Sequence, residues 1–571
     1  MSGCRSTDNI LLISDISHFR SAPDGSTTIP AAVMDSVARR GAVEAVVDGA
    51  LRVTYAELGE RIIEATRAMV AAGVTTGDRV AIWAPNGLGW IVAALGAHSA
   101  GAAIVPINTR WKGGEAAAVL EAARVTVLFT TVGFLGTDTV AMLADDPTDL
   151  PDLRTIVLLP GSAEGRASVP GTDARPSILS WDEFVAAGSS VTEEAAWERL
   201  RSVQPSDTSD TLFTSGTTGR PKGVVMTHAQ TVAQFTDWCD FAGLQPDDRY
   251  LVVNPFFHMF GYKAGWLASL LRGATIFPVA VFDVPAVLEL VQTERITVLP
   301  GAPTIYRSIL DHPGRDGFDL SSLRVAVTGA ADIPVTLIEQ MRAELPFTTI
   351  LTGYGLTEAG TVTGSRPDDD ATTIATTAGR AMPGLEVIIA DAAAGSDGTE
   401  LERGTTGELL VRGFSVMQHY LDDPDATAAT IDANGFLHTG DLATMDERGY
   451  VRIMGRLKDM IIVGGFNVYP AEVENALLAH PAIAQVAVIG VPDERMGEVA
   501  MAWVVPATGE TPDGDEIIAW SRERMANYKV PRRVATIDAL PINAGGKVAK
   551  DELRARASVE MLGVASVNQE T

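Results

Sequence analysis

Residues Thr214 to Gly223 read Thr-Ser-Gly-Thr-Thr-Gly-Arg-Pro-Lys-Gly, ten positions with four hydroxyls, three glycines, one arginine and one lysine. That chemistry suits a loop wrapped around a polyphosphate. Glycines let backbone N–H groups approach the oxygens, hydroxyls donate further hydrogen bonds, and cations offset the charge. The order is not G-x-x-x-x-G-K-S/T, in which a lysine precedes a hydroxyl. Here Gly219 is followed by Arg220, Pro221 and Lys222, and the lysine precedes Gly223. A phosphate loop outside the common pattern points to different chemistry on the nucleotide. A Gly-rich hairpin with no ligand is the plain alternative, and this ordering of hydroxyls and cations argues against it.

Three further clusters carry usable chemistry. Tyr354-Gly-Leu-Thr-Glu358 offers an aromatic ring for a base, a hydroxyl for a phosphate, and a carboxylate that could hold Mg²⁺ together with phosphate oxygens. Taken alone it also reads as a capped turn. Thr439-Gly-Asp441 and Gly455-Arg-Leu-Lys-Asp459 supply a carboxylate able to accept from two ribose hydroxyls and an arginine, Arg456, beside the same sugar or its phosphate. A β-turn with a surface salt bridge explains either piece separately. Pro541-Ile-Asn-Ala-Gly-Gly-Lys547 places a cation after two glycines, where it could reach a reacting phosphate and withdraw; a solvated lysine is the bland account.

The elements that must position these residues alternate. Glu44–Val47 and Leu51–Val53 read as a strand pair, with Asp48-Gly49 suiting a type I′ turn. Thr54-Tyr-Ala-Glu57 has capping-box spacing and opens a helix that runs to Ala72, with Gly73 as its C-cap. Strands are expected at 78–84, 101–106, 250–253, 274–278, 297–299 and 324–327, alternating with helices. That is the text of βαβ units and a parallel sheet. The Thr214 loop joins two short strands, and Thr227 is the N-cap of the next helix. Past Gly407 the text becomes β-rich, with strands at 408–412 and 450–454. A helix at 471–480 and a strand at 483–489 follow.

Bulk properties narrow the class. A chain of 571 residues needs at least two domains, and 46% hydrophobic with 20% charged residues is globular composition. The net charge of −28 argues against a nucleic-acid partner or an anionic membrane. Two cysteines, Cys4 and Cys239, make neither a zinc cluster nor a disulfide framework. Ile10–Ile13 is too short for a signal peptide and no apolar run has membrane-span length, so the chain reads as cytoplasmic. Nothing in the sequence sets an oligomeric state.

The four clusters, in this order and from about Ile29 to Ala557, resemble the adenylate-forming superfamily of acyl-CoA synthetases, luciferases and peptide-synthetase adenylation domains. The resemblance implies an α/β fold. Residues 1–28 would be a loose tail. Residues 29–456 would form a large domain of βαβ sheets plus a β-barrel, 457–557 a small mobile α+β domain, and 558–571 a tail. It implies an acid–thiol ligase in which a carboxylic acid attacks MgATP and coenzyme A then takes the acyl group. Thr214, Ser215, Gly216, Thr217, Thr218, Gly219 and Lys222 would hold the β- and γ-phosphates. Thr357 would bind the α-phosphate and Glu358 the Mg²⁺. Gly329, Ala330, Ala331, Gly353, Tyr354 and Gly355 would flank the adenine, and Asp441 and Arg456 would hold the ribose. Lys547 would bridge carboxylate and α-phosphate, stabilising charge that develops in the transition state. Lys458 would be the hinge that exchanges Lys547 for Gly464, Gly465 and Phe466 at the thiol tunnel.

Asn254-Pro-Phe-Phe-His-Met-Phe-Gly261 matches the acyl-pocket element of that superfamily. Amino-acid-activating members generally carry an Asp there, so an amino acid is not expected. Phe257, Tyr262, Gly301 and Ala302 would line the acyl cavity, and His258 would gate it or simply pack beside the aromatic cluster. Lys263 is read as a surface lysine at a helix start; the alternative is a cation that meets a polar atom of the acid. Residues 256–265, 279–285 and 296–306 are similar to those of steroid-degrading ligases that activate a bicyclic indane-propanoate. A medium-chain or aryl acid, a carrier protein as the thiol acceptor, and a non-catalytic nucleotide sensor are the competing readings. The sensor would have lost Lys547 or Glu358, and both are present.

Overall fold

The computed structural model describes residues 27–162, 176–214, 221–329, 333–392, 398–464, 466–493, 495–542 and 548–567. The chain divides into two compact units. The first runs to Glu386 and includes Arg412–Leu437; the second comprises Val387–Val411 and everything from His438 onward. The boundary expected at 456/457 therefore lies inside the second unit.

The first unit is built on parallel sheets, as the alternating text requires. One has eight strands in the order His419–Tyr420, Lys222–Thr227, Thr208–Thr214, Ala103–Pro106, Arg79–Trp83, Val127–Thr130, Thr155–Leu158 and Ser177–Ser180. From Thr208–Thr214 to Ser177–Ser180 the pairings are parallel; the two pairings before it are antiparallel. Two four-stranded groups make a further layer. Val298 joins them, bridging Tyr250 on one side and Val325 on the other. The strand expected at 297–299 is thus one bridged residue, followed by Pro300, which has no N–H for a ladder. Helices bury their apolar stripes between these sheets. Leu88–Ser99 is buried almost all round, and Trp90, Phe256, Tyr262 and Trp266 meet beside it in the core.

Local signals operate as read. Thr54 and Glu57 form a reciprocal capping box for the helix Tyr55–Ala71, and Gly73 follows with φ +77°. Thr227 and Gln230 do the same for His228–Phe241. The first hairpin differs from expectation. Register pairs Asp48 with Leu51, so Gly49 and Ala50 are the turn, and only Gly49 has positive φ. A type I′ turn needs positive φ at both central residues, whereas glycine at the first alone is the II′ pattern. Thr28, placed in the loose tail, is the N-cap of the helix Ile29–Arg40, its hydroxyl accepting from Ala31 N–H at 3.2 Å.

The β-rich text past Gly407 belongs to a four-stranded sheet, most of it in the second unit, in the order Leu385–Ala390, Gly407–Gly413, Leu437–Met445, Val451–Arg456. A five-stranded sheet follows, centred on the long pair Ile483–Asp493 and Gly497–Pro506. Val473, Leu477, Ile517 and Leu553 from three helices pack on its Ile489, Val499 and Trp503 in one core. The helix Lys550–Val567 continues through most of the segment read as a tail, because its Ala, Met and Leu residues favour helix. Among the described residues no helix is long and apolar enough to cross a membrane.

Candidate active site

Strands Thr208–Thr214 and Lys222–Thr227 pair antiparallel with Thr214 opposite Lys222. Ser215, Gly216, Thr217, Thr218 and Gly219 lie outside the described residues. At the foot of the hairpin, Gly223 is packed so closely that a Cβ would sit 3.0 Å from the Phe213 ring and 3.2 Å from Leu421. The Lys222 ammonium lies 4.8 Å from the centroid of Tyr420. The Tyr420 hydroxyl donates to Glu358 Oε1 at 2.9 Å, and the Met417 N–H donates to the Glu358 carbonyl at 2.7 Å. A cation, a phenol and a carboxylate from three separate elements therefore stand together. Burial, with the Glu358 charge beside it, pushes the Tyr420 phenol well above its ordinary range, so it stays a donor. Sequence reasoning missed Tyr420, which sits in a two-residue edge strand with no motif around it.

Glu358 itself lies in the turn between strands Thr349–Leu356 and Gly360–Gly364. Thr357 and Tyr354 are half-buried nearby. Gly329 pairs with Gly353 in parallel register, and a Cβ on Gly329 would stand 2.8 Å from the Gly353 carbonyl oxygen. Gly355 faces the Gly360 carbonyl even more closely. The glycines thus keep this edge as bare backbone. Ala330 and Ala331 lie outside the described residues. One carboxylate, already oriented by a phenol, is donor chemistry that suits Mg²⁺ arriving with phosphate oxygens.

The segment Asn254–Gly261, expected to border the acyl group, is held by Asn86. Its Nδ2 donates to the carbonyls of Asn254 at 2.9 Å, Val279 at 3.0 Å and Val252 at 3.3 Å, while its Oδ1 accepts from Phe256 N–H at 2.8 Å. Asn86, just past the strand Arg79–Trp83, is a nearly buried clamp that sequence reasoning did not single out. Phe257 is half-buried and His258 exposed, with the His258 Nδ1 accepting from Phe260 N–H at 3.2 Å. Gly301 donates to the Val327 carbonyl at 3.0 Å, and Ala302 precedes the helix Pro303–Leu310. Two expectations need correction. Tyr262 presents no surface to an acyl group: it is 0% exposed, bonded to His98 Nε2 at 3.1 Å and stacked on Trp266. Lys263 is not a surface lysine. It is 2% exposed and pairs at 2.8 Å with Asp210, which is 0% exposed. Burial lowers its pKa and Asp210 opposes that shift.

In the second unit, Asp441 and Arg456 are cross-strand neighbours joined at 2.7 Å. Glu408 secures the start of the strand Leu437–Met445, accepting from Gly440 N–H at 3.0 Å and lying 2.9 Å from His438 Nδ1. Thr439 donates to the Leu409 carbonyl at 2.7 Å and accepts from Asp441 N–H at 3.0 Å. Glu408 and His438 were not singled out from sequence. Lys458 is exposed in a short 3₁₀ turn. Gly464 has φ +56° and a Cβ there would meet Met496. Phe466 is 58% exposed and stacks on Tyr528. Gly465 and Lys547 lie outside the described residues.

The AMP-binding enzyme family matches residues 33–421, and the AMP-binding enzyme C-terminal domain matches residues 472–547. A protein of Rhodococcus jostii (strain RHA1), named as a 7a-methyl-1,5-dioxo-octahydro-1H-inden-4-yl propanoyl:CoA ligase, is 52% identical over 92% of this chain and 98% of its own length. Its namesake from Mycobacterium tuberculosis (strain ATCC 25618 / H37Rv) is 49% identical over 92% and 98%. The crystal structure of ATP-bound MatB from Rhodopseudomonas palustris superposes with a TM-score of 0.80 at 28% identity, covering 93% of this chain and 99% of that one. With a match across most of its length and relatives of this similarity, the chain belongs to the AMP-binding enzyme family.

Proposed function

We propose that the protein is an ATP-dependent acid–CoA ligase whose acid is 3-(7a-methyl-1,5-dioxo-octahydroinden-4-yl)propanoate, a bicyclic propanoate of steroid and cholesterol breakdown. The observation that carries the substrate is the near-full-length likeness to two ligases named for that acyl group. An acid carboxylate oxygen attacks the α-phosphorus of ATP and the bond to pyrophosphate breaks. The coenzyme A sulfur then attacks the acyl carbon and the bond to AMP breaks, giving the thioester. The cytoplasm, which supplies ATP and coenzyme A, is the assigned location.

The residue roles belong to this proposal. Thr214, Lys222 and the loop between them bind the β- and γ-phosphates through backbone N–H groups, hydroxyls and cations. Glu358, held by Tyr420, would hold the Mg²⁺ that arrives with ATP. Mg²⁺, when bound with ATP, offsets phosphate charge as a Lewis acid. Thr357 donates to the α-phosphate, and the bare backbone of Gly329, Gly353 and Gly355 with Tyr354 borders the adenine. Asp441, fixed by Arg456, accepts from ribose hydroxyls. Lys547 supplies a cation to the charge that develops at the α-phosphate. Phe257, His258, Gly301 and Ala302 border the acid, and Gly464, Gly465 and Phe466 the thiol.

Pyrophosphate release with MgATP and CoA, across fatty, aryl and steroid-derived acids, tests the reading. The indane-propanoate is expected to turn over fastest and to yield a CoA thioester by mass. Silence on every steroid-derived acid removes the substrate. Transfer to a phosphopantetheinylated carrier but not to CoA makes the chain a carrier-loading enzyme instead.

A further inference from the structure

A buried polar knot lies in the first unit, and none of the roles above uses it. Lys263 Nζ meets Asp210 Oδ1 at 2.8 Å and donates to Thr231 Oγ1 at 3.1 Å. Asp210 Oδ2 accepts from Ser209 Oγ at 2.7 Å, and Ser209 Oγ lies 3.2 Å from Thr231 Oγ1. All four residues are buried. Removing two charges from water is costly, and a buried ion pair is commonly no more stable than apolar side chains of similar volume. The knot therefore needs an explanation other than stability.

Its members come from three elements that the ligase reading uses. Asp210 is on the strand Thr208–Thr214. Side chains alternate along a strand, so Asp210 shares a face with Thr214, about 13 Å further on. Thr231 is in the first turn of the helix His228–Phe241, which directly follows the strand Lys222–Thr227. Lys263 is inside a π-helix, Phe260–Leu267, that continues from Asn254–Met259. Such widened turns are frequent where a helix serves a site. This one is seated closely, since a Cβ on Gly265 would stand 2.8 Å from Val252, and one on Gly261 would strike the carbonyls of Asn254 and Pro255. One strand of the phosphate hairpin and the helix that directly follows the other are thus tied to one ammonium group, carried on the π-helix that continues from the acyl element.

We propose that Lys263, Asp210 and Thr231 are positioning residues that hold the paired strands Thr208–Thr214 and Lys222–Thr227 in register with the acyl element Asn254–Met259, so that the acid carboxylate and the ATP phosphates meet in reactive alignment. The proposal rests on the ligase reading. It concerns adenylation, because the second half-reaction begins after pyrophosphate has gone.

The test compares the half-reactions. Thr231→Val removes one hydroxyl of the knot at nearly constant volume. It is expected to lower pyrophosphate–ATP exchange about 10- to 100-fold in kcat/KM, the scale of a misplacement of about 1 Å. Thioester formation from preformed acyl-adenylate and CoA is expected to stay at the wild-type rate, and Thr231→Ser to restore exchange. The double variant Asp210→Leu/Lys263→Met removes both charges; it is expected to keep the wild-type melting midpoint and still lose exchange. Equal loss in both half-reactions for Thr231→Val, or wild-type exchange in the double variant, overturns the positioning role. Should the double variant not fold, the Thr231 pair decides. A wild-type protein that exchanges pyrophosphate with no acid fails the ligase reading itself, and the positioning proposal falls with it.

Discussion

Tyr420 touches two groups of opposite charge: its hydroxyl donates to Glu358 Oε1 at 2.9 Å and its ring lies 4.8 Å from Lys222 Nζ. Tyr420→Phe separates those tasks, keeping the ring and deleting the hydrogen bond. A hydrogen bond to a charged group is worth about 1.5–3 kcal/mol, so exchange of pyrophosphate is expected to fall tenfold or more with the melting midpoint little changed. A fall in the midpoint without a change in exchange would assign the hydroxyl to packing. Asp441 and Arg456 illustrate the same scale in the second unit. Their residue types suggest a ribose site, but that they face each other across adjacent strands is a property of register.

At the level of elements, bare backbone is the recurring device. The turn that carries Thr357 and Glu358 joins two strands so close that a Cβ on Gly355 would run into the Gly360 carbonyl. Gly355→Ala is expected to destabilise the first unit by about 1–3 kcal/mol, the usual cost of overpacking, and to impair adenylation by displacing Glu358. Thermal melting read beside pyrophosphate exchange checks both. Much at this scale was legible. The capping box at Thr54, the N-cap at Thr227, the C-terminal Gly73 and the two strands around Thr214–Gly223 follow from rules that act within a few residues. Where short-range rules left a choice, the reading slipped, as with the II′ turn at Gly49-Ala50 and the single bridged residue Val298.

Across the whole molecule, the core of the first unit holds polar groups that couple folding to acidity. His98 and His228 are fully buried and pack edge to face at 5.2 Å. Burial pushes His228 down to about 3 and His98 well below its ordinary value, with the Lys263 charge adding to both. Each therefore binds a proton in the unfolded chain, but not in the folded one, as pH falls below about 6.5. The sign is fixed: stability is complete above that pH and declines as acidity rises, by up to about 1.4 kcal/mol per pH unit for each histidine. The melting midpoint is expected to drop between pH 7 and pH 5, and to drop less in His98→Gln/His228→Gln. An equal drop in both proteins would place the proton uptake elsewhere. By itself the sequence determined the chemistry available: the phosphate-loop composition, the carboxylates, the cations and the alternation of strands and helices. Residue types, hydrophobic period and capping are written within a few positions of one another. Tertiary structure alone decided which distant groups share a site: Tyr420 with Glu358, 62 residues apart, and Asn86 with Asn254, 168 apart. It also turned Lys263 from an expected surface lysine into the buried partner of Asp210. Those contacts are set by how sheets and helices stack, and no local propensity encodes them.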